Sequence, residues 1–357
     1  MFLNPKFCLC FFVLCLFLCL KISLATNEEI ILDYPPRLDP VIRTTSKDYV
    51  NTKNISKEKS QEKERFEMGK KDDGIFFRLT EGEMRQFLEE GYSHLGGFLS
   101  PSEISEIETV FDSFILGEIS APGKDFCDMS QPLSTPMDQW RLVNAMLPRI
   151  YYPAMQNTTF EKKALSVARQ LLGNDMEIDY DQFLMKKEAR ESGVSNGAKF
   201  SWHQDLSYWP KDTPDYRTVT ISLALNDANV ENGCLMVIPK SGKEKKLRNH
   251  IRLGEGTEDV AHTLEMQLEE KDTITYIPLR AGDVSIHDER IVHGSGGNSS
   301  TKRVRKTYVL AFRSKDTIKY ERSIGFTHSH NDFQPPINEE EEEEKEEESL
   351  AEFNTEF

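Results

Sequence analysis

The chain has 357 residues and a formal net charge of −16, which excludes the basic surface that a nucleic-acid partner would require. That length can hold one large or two ordinary domains, and its 38% hydrophobic content is diluted by compositional bias at both ends.

The first element is an unbroken apolar run, Phe7–Leu20, preceded by Lys6 and ended by Lys21. A membrane-spanning helix needs about 20 apolar residues, and Ser23 and Ala25 follow the run as small residues suited to a processing site. Residues 1–25 are therefore read as a cleaved secretory signal leading to the ER/Golgi lumen or outside the cell. The alternative is an uncleaved segment that anchors the protein to a membrane. Cleavage would remove Cys8, Cys10, Cys15 and Cys19, leaving Cys127 and Cys234, so a disulfide scaffold is not expected. Asn54, Asn157 and Asn298 head sequons, though Asn298 lies too near the chemistry described below to suit a glycan.

Residues 26–73 are polar, charge-mixed and aperiodic, and read as a linker. The folded body runs over 74–336. Thr80 with Glu83 and Ser100 with Glu103 form capping boxes ahead of apolar stripes, the second with Pro101 at the first helical position. Thr158 and Glu161 start a third helix expected to stop near Gly173. These three helices should form a layer against a sheet. From about Met176 the period changes to strands: Ile178–Lys186, Lys199–Asp205, Val219–Leu225, Cys234–Ile238, Thr273–Ile277, Asp283–Ile286 and Val304–Phe312. Helices first and strands later predict a mainly β, α+β chain, a double-stranded β-helix or jelly roll of the cupin type. At the far end, Glu339–Glu348 holds nine Glu and one Lys, so half the net charge lies in ten residues of an acidic tail, 337–357, expected to be disordered.

One stretch carries chemistry. In Trp202-His203-Gln204-Asp205 a histidine and a carboxylate stand two apart, the spacing that puts both on one face of a strand. His293, followed by Gly294-Ser295, can complete a 2-His-1-carboxylate set, which holds non-haem Fe(II) and leaves positions open for oxygen and a co-substrate. His287 is an alternative distal ligand, with the Gly-Ser after His293 favouring the latter. A histidine in a half-buried strand often serves only a local hydrogen bond, and Trp202, Tyr208 and Trp209 serve equally as core or as substrate wall.

Four blocks, Trp202–Pro210, Asn232–Pro239, Ala281–Val284 and His293–Ser300, resemble in order the signature blocks of the phytanoyl-CoA dioxygenase family. The resemblance covers roughly Gly74 to Ser314 and implies an Fe(II)- and 2-oxoglutarate-dependent dioxygenase. Its cofactors would be Fe(II), 2-oxoglutarate and O2, with ascorbate as an accessory candidate, and its products would include succinate and CO2. His203, Asp205 and His293 are then the implied iron ligands, and Ser295 the hydroxyl that meets the 2-oxoglutarate carboxylate. A bidentate arginine clamp is implied at Arg305 if the loop carries a one-residue insertion, with Arg303 on the same strand face as the alternative. Gln182 matches a co-substrate position, and Arg141 a basic residue lining the pocket. A carboxylate at Asp205 fills the position that related halogenases open to chloride, so hydroxylation of a small organic or lipid-like substrate is implied. A non-catalytic metal-binding jelly-roll module and a cupin-type enzyme of other chemistry are the competing readings. Loops Lys211–Arg217 and Ser241–Thr263 should carry specificity.

Overall fold

The computed structural model describes residues 76–191, 194–252 and 264–331. The expected signal segment, linker and acidic tail lie outside the described residues, as do 253–263 of the second specificity loop.

The capped helices form as their end residues dictate. Thr80 and Glu83 bond reciprocally and open α1 (Glu81–Glu90), which Gly91 closes at φ 86°. Strand β1 (Tyr92–Leu95) follows, then the same box at Ser100 and Glu103 opens α2 (Pro101–Ile115). Next come β2 (Phe126–Asp128), β3 (Leu142–Met146), the single turn α3 (Pro148–Tyr151) and α4 (Thr159–Leu172), which is capped by Thr158. The strands that follow are β4 (Met176–Lys186), β5 (Phe200–His203), β6 (Thr218–Ala224), β7 (Leu235–Val237), β8 (Ile251–Arg252), β9 (Leu264–Glu265), β10 (Thr275–Ile277), β11 (Val284–His287), β12 (His293–Ser295) and β13 (Arg305–Ser314). A final helix, α5, spans Lys315–Ser323.

Among the described residues the strands form a seven-stranded sheet ordered β1-β11-β6-β13-β4-β3-β2, a four-stranded sheet ordered β10-β7-β12-β5 and the small pair β8-β9, every named pair antiparallel. The period of two divides the larger sheet between two jobs. On β13, Tyr308, Leu310 and Phe312 join Phe183, Ile221 and Leu223 in the core beneath the helices. Arg305, Thr307 and Val309, on the other face, line a cavity of about 540 Å³ shared with His203, Leu235 and His293 of the smaller sheet. One face of the large sheet therefore holds the fold together and the other is free for chemistry.

One expected strand is corrected, and several elements go beyond those the sequence predicts. The strand expected over Lys199–Asp205 ends at His203, and Asp205 begins a 3-10 turn, Asp205–Tyr208. Strands β1, β2, β3, β8, β9 and β12 and helices α3 and α5 are not among the elements that the sequence predicts. The two remaining cysteines stay buried as free thiols.

Phe111 anchors the helical layer, fully buried and stacked 4.5 Å from Phe183 on β4. Phe111→Ala should cost about 3–5 kcal/mol of stability, whereas Leu116→Ala, at 72% exposure, should change it by less than about 0.5 kcal/mol. Denaturant unfolding measures both, and equal effects would refute this placement of the core.

Candidate metal centre

Strands β5 and β12 pair so that His203 stands opposite His293. Cβ atoms in such a pair lie about 4.5–5.5 Å apart, and here the ring centroids are 4.2 Å apart. Each ring is aimed by its own strand. His203 Nδ1 lies 2.6 Å from the Ser201 carbonyl and His293 Nδ1 lies 3.0 Å from that of Ile291. An Nδ1–H given to a carbonyl leaves Nε2 as the free lone pair, the tautomer a metal needs.

Asp205 completes the set despite leaving the strand, because Gln204 stays extended at φ −122° and ψ 122°. Gln204 is itself pinned, donating from Nε2 to the Arg290 carbonyl at 2.6 Å and accepting from the Arg248 N–H at 2.8 Å. Asp205 Oδ1 lies 3.2 Å from His203 Nε2 and 3.4 Å from His293 Nε2. The three donor atoms fall within 4.8 Å of one another. His287 stands at the edge of the group, its Nε2 3.6 Å from Asp205 Oδ2.

Electrostatics ready this cluster for a cation. Burial works to raise the Asp205 carboxyl, but His293 and hydrogen bonds from the histidines hold it well below the usual carboxylate range. Burial works to lower His293, and Asp205 overrides it and holds the imidazole above its ordinary value. Burial and the neighbouring His293 lower His203, and burial pushes His287 down to about 4. A second cluster of similar spacing, Asp179, Glu321 and His328, already contains a positive charge. Arg313 reaches Asp179 at 3.1 Å and Glu321 at 2.6 Å.

At the other end of the cavity, Arg305 opens β13, its Nη1 donating to the Gly233 carbonyl at 2.9 Å. Its buried Nε has no hydrogen-bond partner among the described residues, a donor suited to an incoming carboxylate. Gly233 is needed beside it: at φ 78°, a Cβ would come within 2.2 Å of the Gly296 carbonyl oxygen.

The other implied residues divide. Gln182 lines the cavity, but its Nε2 donates to Asn144 Oδ1 at 2.7 Å. Ser295 is buried and accepts from Lys186 Nζ at 2.5 Å. Arg303 lies before β13, exposed and paired with Glu231, so it is corrected from clamp to surface ion pair. Arg141 is also corrected: it is exposed and is not among the described residues lining the cavity. Sequence reasoning missed two contributions. Lys186 is one, and the other is the segment Phe326–His330 after α5, which walls the cavity. Asp125 holds that segment by accepting from Ser329 Oγ and the His330 N–H, each at 2.7 Å.

The sequence pattern of the family described as phytanoyl-CoA dioxygenase (PhyH) matches residues 87–307. A probable alpha-ketoglutarate-dependent hypophosphite dioxygenase of Stutzerimonas stutzeri is 23% identical over 66% of this chain and 78% of its own. An ectoine dioxygenase of Nocardia farcinica is 24% identical over 70% of this chain and 83% of its own. Two solved structures share the fold. EvdO2 from Micromonospora carbonacea var. aurantiaca, complexed with 2-oxoglutarate, has a TM-score of 0.51 at 23% identity, over 66% of this chain and 91% of that one. EctD from S. alaskensis with bound Fe has a TM-score of 0.51 at 21% identity, over 67% and 78%.

Because Asp205 holds a proton on His293 above the ordinary value of 6.5, that proton must leave before Nε2 can bind a metal. Affinity for Co(II), a stable probe of the site, should therefore fall as pH drops from about 8 to about 6. His287→Ala should leave the affinity nearly unchanged. Calorimetric titration at both pH values checks this, and pH-independent binding, or loss of binding in His287→Ala, would move the ligand assignment.

Proposed function

This chain belongs to the phytanoyl-CoA dioxygenase family, and on that premise we propose that it is a non-haem Fe(II)- and 2-oxoglutarate-dependent dioxygenase. It would hydroxylate a small organic or lipid-like substrate, with release of succinate and CO2. The observation that carries this reading is the union, in one cavity, of the His203–Asp205–His293 donor set with the buried, acid-free guanidinium of Arg305. The first suits Fe(II) and the second suits the carboxylate of an oxo acid. A metal-binding module of another kind would have no use for the second.

Fe(II) and 2-oxoglutarate, when bound, supply oxygen activation coupled to decarboxylation of the oxo acid, and the protein supplies placement and a dry pocket. His203, Asp205 and His293 would hold the metal from one side, with their Nδ1–H bonds to backbone fixing both rings. Arg305 would take the far carboxylate. The carboxylate of Asp205 fills the position a halide would need, which supports hydroxylation. Tyr208, Trp209 and Phe326 wall the cavity and keep water from the substrate side. Asp205 is the only carboxylate among the described lining residues, which favours a neutral or anionic substrate over a cationic one. The two antiparallel sheets that share the cavity support the reading of a double-stranded β-helix.

A secretory location, from the apolar run Phe7–Leu20, belongs to the same proposal. The mature chain should begin near Thr26, and N-terminal sequencing from native cells that finds Met1 on membrane-bound protein would favour the anchor instead. For the activity, full-length protein with Fe(II) and 2-oxoglutarate should release succinate in response to one fraction of a metabolite pool. Charge-assisted hydrogen bonds are worth roughly 1.5–3 kcal/mol. Arg305→Lys should therefore weaken 2-oxoglutarate binding by about ten- to a hundredfold, while Arg303→Lys leaves it nearly unchanged. Absence of both 2-oxoglutarate binding and succinate release would end the dioxygenase reading.

A further inference from the structure

We propose that Asn157 carries an N-linked oligosaccharide, which covers an apolar knob beside it on the helical side of the fold. This rests on the secretory location proposed above and is independent of the dioxygenase reading. Asn54, Asn157 and Asn298 head the pattern Asn-x-Ser/Thr that lumenal glycosylation requires. Asn54 lies outside the described residues, and the structure sorts the other two. Asn298 is fully buried. Its Nδ2 donates to the Arg303 carbonyl at 2.6 Å, and its Oδ1 accepts from the Ser300 N–H at 2.9 Å. A sugar on that nitrogen would displace a buried hydrogen bond and has no room, so Asn298 stays bare.

Asn157 has the opposite surroundings. It is exposed and stands at φ 64°, in the left-handed region that asparagine enters more readily than most residues with a Cβ. Its backbone N–H donates to Glu161 Oε2 at 2.9 Å, while its side-chain amide has no hydrogen-bond partner among the described residues. Thr158 caps α4, and Thr159, which supplies the hydroxyl of the pattern, is the first residue of that helix. Helix α4 packs Phe160, Ala164, Val167 and Ala168 into the core between the helices and the large sheet. No residue from 148 to 168 is among the described residues lining the cavity. A bulky group on Asn157 therefore meets solvent and leaves the cavity open.

What the sugar does there follows from a second observation. Glu161 Oε2 also accepts from Arg149 Nε at 3.0 Å, and Gln156 Nε2 donates to the Arg149 carbonyl at 3.1 Å. This knot brings Asn157 beside α3, whose Ile150 is 63% exposed, and beside the exposed Tyr152, Pro153 and Ala154 that follow it. Single apolar residues on a surface are ordinary, but a contiguous group is a liability for association unless something covers it. A hydrophilic oligosaccharide rooted at Asn157 covers this one. The covalent step is a group transfer from an oligosaccharide carried on a polyprenyl diphosphate. Asn157 Nδ2 forms a bond to the anomeric carbon, and the bond from that carbon to the diphosphate oxygen breaks. The amide gives up one proton, the lipid diphosphate leaves, and nothing is oxidised or reduced.

The competing role for Asn157 is a turn residue, present for its left-handed backbone and left bare. Full-length protein from its native cells separates the two by peptide mapping after enzymatic release of glycans in heavy-oxygen water, which turns a glycosylated asparagine into labelled aspartate. Label should appear at Asn157 and be absent from Asn298. Made in the same cells, Thr159→Ala should lose that one glycan and Thr159→Ser should keep it, with equal Co(II) affinity. Thr159→Ala should also begin to aggregate at a lower temperature than Thr159→Ser, and equal onsets would overturn the covering role. Removal of the signal segment, or label at Asn54, with none at Asn157 would overturn the proposal and leave the secretory location standing. Label at Asn298 would overturn the sorting by burial. Protein that retains Met1 and carries label at no sequon would overturn the secretory location, and the glycan with it.

Discussion

The register between β5 and β12 is the constraint from which the site follows. His203 faces His293 because the two strands pair at that position, and a slip of one residue would turn the side chains of a strand to its other face. The same pairing shapes the far end of the cavity. It places Gly294 near the Phe200 carbonyl, where a Cβ would come within 3.0 Å, and carries Ser295 to the ammonium of Lys186. Three residues of β12 thus serve the metal face, the close approach of the strands and the corner that holds Lys186.

A buried ionic network fixes the surroundings of the third ligand. Arg313 on β13 is 1% exposed and meets the fully buried carboxylates of Asp179, Glu289 and Glu321, with His328 2.7 Å from Asp179. Burial pushes the Glu289 carboxyl up, against the pull of Arg313. Glu289 also accepts from Trp209 Nε1 at 3.0 Å, and its backbone carbonyl accepts from the Leu206 N–H at 3.1 Å. The turn that carries Asp205 is therefore tied to the same charges that hold His328 and the segment walling the cavity. Removing one partner of such a network leaves an uncompensated buried charge, which typically costs about 3–5 kcal/mol.

Much of this was legible in the sequence, where local chemistry decides structure. Thr80, Ser100 and Thr158 cap helices because their hydroxyls meet backbone N–H groups three residues on. Long strands such as β4 and β13 announce themselves by alternation. What was not legible depends on distant pairing. Strand β12 is three residues long and contains glycine, too short for any period to register. The choice between Arg303 and Arg305 turned on where β13 begins. Lys186 reads in sequence as an ordinary solvated lysine, and its burial comes from a partner 109 residues away. Arg141 failed for the complementary reason: a basic residue beside a β-strand carries no mark of which way it faces.

The central claim is that one metal and one oxo acid meet on the His203–Asp205–His293 face. A 2-oxo acid chelating Fe(II) gives a visible charge-transfer absorption that neither component gives alone, and it is read without turnover when oxygen is absent. Anaerobic addition of Fe(II) and then 2-oxoglutarate to the full-length protein should produce this band, saturating at stoichiometric iron, and Asp205→Ala combined with His293→Ala should abolish it. Wild-type protein that takes up both components without the band, or a double variant that keeps it, would contradict the account.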